Sequence, residues 1–151
     1  MVTGHANNSV AGDVLLSHGY SDVWVIKIDG SGNKLWGKEF GGDGDDEATS
    51  ILATSDTTYL IAGYTRSSSN TGDVGLNNGN ADLWVLEMSS TGNLLWQRPM
   101  GGSLDEGSYA ATIVPAKGGG YVVAANASST NGDLLNYINR GADDYWILQL
   151  K

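Results

Sequence analysis

Cysteine is absent from this chain, and phenylalanine occurs once, proline twice and basic residues only eight times in 151 positions. Without cysteine there is no disulfide framework, no thiolate metal site and no cysteine nucleophile. Eight basic residues, none in a run, against a net charge of −9 argue against a nucleic-acid surface. No apolar run approaches the roughly 18 residues of a membrane-spanning helix. The opening segment MVTGHANNS lacks the basic end and apolar core of a signal peptide, which leaves localisation open. Histidine occurs only as His5 and His18, neither position repeats as histidine, and the sequence shows no cluster of the three or four ligands that a zinc site needs. A G-x-S-x-G elbow is missing, and so is a helical i, i+3, i+4 apolar face.

What is present is glycine, 22 residues of it, with five tryptophans, seven tyrosines and 40% apolar residues. With so little proline and no collagen period, this composition suits one domain of many short strands joined by turns. The chain also repeats itself. DVWVIKIDGSGNKLWGKEFGG (Asp22–Gly42) and DLWVLEMSSTGNLLWQRPMGG (Asp82–Gly102) share nine of 21 positions. Asp13, Asp73 and Asp133 each follow glycine at a spacing of 60. Trp24, Trp84 and Trp146 are spaced by 60 and 62, Trp36 and Trp96 by 60. The two-residue drift falls between Gly102 and Tyr121, the counterpart of Tyr59.

One period contains four strand-length runs, A to D: EATSILATS, TYLIAGYT, ADLWVLEM and NLLWQRPM. Each is rich in β-branched, small or aromatic residues and is bounded by Gly, Asp, Ser or Asn. Four short antiparallel strands at a fixed period form the unit of a β-propeller blade. A sandwich with accidental duplication is the alternative; it needs no 60-residue period.

The turn-and-tryptophan motif in SSTGNLLWQ and GSGNKLWGK resembles the blade motif of quinoprotein-type β-propellers. The fuller pattern of D-x-W-V, G-N-x-x-W, GG-x-x-x-D-E and Y-x-x-A resembles the repeats of large secreted bacterial proteins of unassigned function. The resemblance covers the whole chain. It implies a propeller fold, slim inner A strands, bulky outer strands and a secreted or cell-surface setting. It carries over no active site and no cofactor.

The strand order expected is BCD, ABCD, ABC: one whole blade and two incomplete ones within a single domain spanning 1–151. The incomplete blades cover 1–40 and 107–151, the whole one 45–100. Incomplete blades leave open edges and uncovered faces. The expectation is therefore a homo-oligomer, with an isologous dimer of half-rings favoured, or the remainder of a longer propeller chain.

In an antiparallel meander the B–C and D–A loops share one end. By count, 13 of the 17 acidic residues fall there, including Asp13, Asp22, Asp43, Asp45, Asp46, Glu47, Asp105 and Asp144. Few cations join them, chiefly Arg140 and Arg66. Two readings follow. The recurring aspartates accept backbone N–H bonds and hold turns. Alternatively, Asp43, Asp45, Glu47 and Asp105 bind a ligand, with Asp43, Asp45 and Asp46 as calcium candidates on a glycine-rich loop that lacks EF-hand spacing. Trp24, Trp36, Trp84, Trp96 and Trp146 are expected in the core, and loop residues Tyr20 and Tyr137 are candidates for stacking on a sugar. The functional expectation is a non-enzymatic binding or scaffold module that requires no cofactor. An oligomeric carbohydrate-binding propeller lectin is the alternative, and a propeller glycosidase or lyase a more remote one.

Overall fold

The computed structural model describes residues 1–7, 18–55 and 57–151; Asp13, one of the recurring loop aspartates, lies outside them. The described residues are all-β apart from one 3-10 turn at Gly132–Leu134. The strands are β1 (Val2–Asn7), β2 (Ser21–Ile28), β3 (Lys34–Phe40), β4 (Asp46–Ala53), β5 (Thr58–Thr65), β6 (Asp82–Ser89), β7 (Leu94–Met100), β8 (Glu106–Pro115), β9 (Tyr121–Ala127) and β10 (Asp144–Leu150). They form three antiparallel sheets, β1-β2-β3, β4-β5-β6-β7 and β8-β9-β10. No ring or barrel closes among them.

Local chemistry explains the turns. In the β2–β3 connection Asp29 Oδ1 accepts the N–H groups of Ser31 and Asn33 at 2.8 and 2.9 Å, and Gly32 takes φ +86°. The β6–β7 connection repeats this with Ser89 Oγ accepting from Asn93 at 3.1 Å and Gly92 at φ +83°. A left-handed residue is required there, and glycine adopts it without steric cost.

Register recurs with the sequence. Trp84 lies opposite Gly63 on β5 just as Trp24 lies opposite Gly4 on β1. The two-residue drift is absorbed inside strand A of the third sheet. There β8 pairs Glu106 with Ala127 and next Ala111 with Ala125, so Gly107–Ala110 bulge out of the ladder. The equivalent bulge in β4 is smaller and lies between Ala48 and Ser50.

The middle sheet is covered on both faces. Ile61, Trp84, Leu86 and Met88 pack against Val23, Val25 and Phe40 of the first sheet. Leu60, Ala62, Leu83 and Val85 pack against Ala111, Ile113, Val123 and Ala125 of the third. Burial on both faces explains why β6 is apolar at consecutive positions rather than alternate ones. Each such Val, Leu or Ile contributes roughly 1.5–3 kcal/mol from leaving water. Trp84 is fully buried, and its indole N–H donates to Gln97 Oε1 at 2.9 Å. Trp36 and Trp146 are half-buried against the two clusters, and Trp24 is half-buried as well. Trp96 departs from the expectation of a core position. It is 39% exposed on the outer strand β7, with its N–H on the Glu87 carboxylate.

Candidate functional site at the carboxylate-rich loop end

The loop aspartates are built into the turns at regular intervals. Asp22, Asp82 and Asp144 each use Oδ2 to accept the N–H four residues earlier, from His18, Asn78 and Arg140, at 2.7, 2.8 and 2.5 Å. Asp73 and Asp133 accept the N–H groups of Gly41 and Gly101 at 3.4 and 3.1 Å. These carboxylates substitute for main-chain acceptors where the chain leaves its ladder.

A second carboxylate reaches each Gly-Gly turn from the following strand A. Asp46 accepts from Gly42 N–H and Glu106 from Gly102 N–H, both at 2.8 Å. Gly41 therefore lies between Asp22 and Asp46, and Gly101 between Asp82 and Glu106. A Cβ on Gly101 would stand 2.3 Å from Asp82 Oδ1 and 2.7 Å from Glu106 Oε2. All four carboxylate residues are buried. Among the described residues, Asp22 Oδ1 and Asp82 Oδ1 are buried without a hydrogen-bond donor. Burial pushes the Asp82 carboxyl up to about 6, with the nearby Glu106 and Asp133 charges adding to the rise. Burial also raises Asp46, helped by the Asp22 charge, and raises Asp73.

Serines complete each junction. Ser67 Oγ donates to Asp46 at 2.7 Å and accepts from Gly44 N–H at 2.9 Å. Sixty-two residues on, Ser129 Oγ accepts from Leu104 N–H at 2.9 Å, and Ser129 N–H donates to Glu106 at 2.8 Å. These serines share the 62-residue spacing of Tyr59 and Tyr121, which is the signal the repeat carries for them. Arg98 was also missed: its guanidinium lies 3.8 Å from Asp133.

The candidate ligand residues are spread along this end. Asp43 is exposed, but Oδ1 accepts Ser68 N–H at 2.6 Å and the Thr71 hydroxyl at 3.1 Å. Those bonds hold its carboxyl below the ordinary range. Asp45 bridges to Ser21, and Asp105 pairs with Arg66 at 3.4 Å. Glu47 lies 3.5 Å from His5 Nδ1. Among the described residues no three His or carboxylate side chains converge as a metal set. Tyr20 is 72% exposed, whereas Tyr137 is half-buried and donates its hydroxyl to the Tyr145 carbonyl at 2.9 Å.

No protein-family model matches this chain, and no curated protein matches it. No helix among the described residues is long and apolar enough to cross a membrane.

Proposed function

We propose that the chain is a non-enzymatic binding or scaffold module of β-propeller type, its three sheets serving as successive blades and its carboxylate-rich loop end as the outward surface. The observation that carries this reading is the recurrence of one inter-sheet junction. The same buried carboxylates hold the same Gly-Gly turns at the first and second sheet boundaries. Side chains spent on main-chain N–H groups build a frame; they are not poised for proton or group transfer. The resemblance to quinoprotein-type blades supports the same reading.

Blades of a propeller splay outward from an axis, which a flat stack of sheets does not. The chain has no cysteine, so spin labels can be placed singly. Labels on the outer strands, at Leu35 and Leu95, are expected to lie farther apart than labels on the adjacent inner strands, at Ala53 and Val114. Equal inner and outer separations would end the blade reading. A carbohydrate-binding role has one observation in its favour, the exposed Tyr20 ring. A glycan array with wild-type and Tyr20→Ala chains decides it: selective binding lost in the variant supports the lectin, and a blank array leaves the scaffold.

A further inference from the structure

The third sheet carries an open cleft of about 530 Å³, lined by Tyr109–Thr112 of β8, Ala124–Asn126 of β9 and Asp143–Tyr145 at the start of β10. The repeat identifies what this cleft is. Spaced by 62, its residues are the counterparts of Glu47–Ser50, Ala62–Tyr64 and Ala81–Leu83 in the middle sheet. There the place is taken by the Gly-Gly turn and strand A of the next sheet.

The occupied seat shows how the incoming segment is held. Ala81 bridges in parallel to Asp105, with Glu106 N–H donating to the Ala81 carbonyl at 2.6 Å and Asn80 N–H to the Leu104 carbonyl at 3.2 Å. Ser21 and Tyr20 repeat this bridge toward Asp45 and Gly44 in the first sheet. Farther along, Thr49 Oγ1 bonds both the carbonyl and the N–H of Ala111, at 2.7 and 3.0 Å, and Ser50 Oγ accepts from Ile113 N–H at 3.3 Å. Ala62 is fully buried beneath the incoming strand, and Leu83 is 0% exposed.

On the third sheet Ala124 stands where Ala62 stands, Thr112 supplies the hydroxyl of Ser50, and Asp143 supplies the main chain of Ala81. Tyr145, at the Leu83 position, is 86% exposed, and Ile147, at the Val85 position, 68%. These are apolar side chains at positions that this fold otherwise covers completely.

We infer that this cleft is a docking seat for an extended polypeptide segment bearing two glycines, two further residues, an aspartate, a second acidic residue and then small and β-branched residues. The recognition is a main-chain bridge at Asp143 followed by close packing of small side chains over Ala124 and Tyr145. It deepens the proposed scaffold role by naming a partner chemistry, but it needs only the sheet packing and not the closure of a ring.

The test is a fluorescein-labelled peptide with the sequence of residues 101–115, GGSLDEGSYAATIVP, titrated into the intact chain and followed by anisotropy. Saturable one-to-one binding is expected, and a scrambled peptide should not bind. Ala124→Trp fills the cleft and is expected to weaken binding by about tenfold or more. Thr112→Arg, on the exposed rim, should act in the same direction and serves where the tryptophan disturbs folding, with circular dichroism as the check. Two results overturn the inference: no saturation with a folded chain, or equal binding to wild type and both variants. If the chain alone doubles its molar mass in light scattering and Ala124→Trp restores the single mass, the inference holds with a second copy, which carries the same segment, as the occupant. The spin-label distances report on the splay of the sheets independently of any of these outcomes.

Discussion

Asp82 and Glu106 close on the two sides of Gly101, Asp82 Oδ1 and Glu106 Oε2 both lying within 3 Å of where its Cβ would be. Two acidic groups from different sheets are thus buried around one glycine. The arrangement recurs at Gly41 with Asp22 and Asp46. It joins neighbouring sheets through hydrogen bonds to Gly42 and Gly102, and it sets two acidic side chains close together in a buried site.

That arrangement makes stability depend on pH in an uncommon direction. Asp82 rises from 3.8 to about 6 in the folded chain, and Asp46 and Asp73 also rise. A raised folded value means that the folded state holds its proton more tightly than the unfolded one. The stabilisation is present in full below pH 3.8 and is lost as pH climbs through about 6. The midpoint of thermal unfolding is expected to fall by roughly several degrees between pH 4.5 and 7.5. Scanning calorimetry of wild type and Asp82→Asn checks this, the variant showing a flatter dependence. A wild-type midpoint that climbs over the same interval would refute it.

Gly101→Ala should be costly for the same geometric reason. The added methyl meets both carboxylates, and relief requires shifting buried groups, an overpacking cost of about 1–3 kcal/mol. Gly30→Ala is the control, because nothing lies within 4 Å of its Cβ position. Urea midpoints should separate the two variants clearly; equal midpoints would mean that the junction is loose.

Trp84→Ala and Trp96→Ala make a matched pair from the two tryptophans of the middle sheet. Trp84 is buried and bonded to Gln97, so truncation leaves a cavity and an unpaired amide, costing roughly 3–5 kcal/mol. Trp96 is substantially exposed, and its loss should cost about 1 kcal/mol or less. Chemical denaturation of both reads out the difference, and a reversed order would contradict the packing described.

Thr49→Val tests the contact between strands of adjacent sheets. The hydroxyl bonds the N–H and carbonyl of Ala111 together, and valine removes both bonds at nearly constant volume. A loss of about 1–2 kcal/mol is expected in urea. The variant should also raise hydrogen exchange at Ala111; an unchanged exchange rate there would show that the bond does not hold the sheets.

Much of this was legible in the sequence because a repeat reports the same environment more than once. The ten strands, their grouping into three, four and three, and the turn-holding role of Asp22, Asp73 and Asp82 follow from residues that recur in phase. Ser67 and Ser129 recur too, yet serine is so common in loops that the period alone did not single them out. What a repeat cannot convey is whether a neighbour is there. Tyr145 and Leu83 occupy one position of the period, one bare and one buried, and nothing in the residue types announces the difference. Trp96 fails the core expectation for a related reason: on an outer strand one side of the ring has nothing to pack against. The extra residues of the Gly107–Ala110 bulge were visible as a drift in spacing, but their placement inside a strand depended on the pairing with β9.

The coverage of the middle sheet on both faces has a kinetic consequence. Amide protons of Ile61 and Leu86 are shut in by sheets on either side, while β1 and β10 lie in sheets that, among the described residues, pack against a neighbouring sheet on one face only. Opening a flanking sheet exposes one interface, whereas opening the middle one breaks two. Deuterium should therefore enter from the two termini of the chain and reach β5 and β6 last, so that the molecule melts inward like a short stack losing its outer leaves.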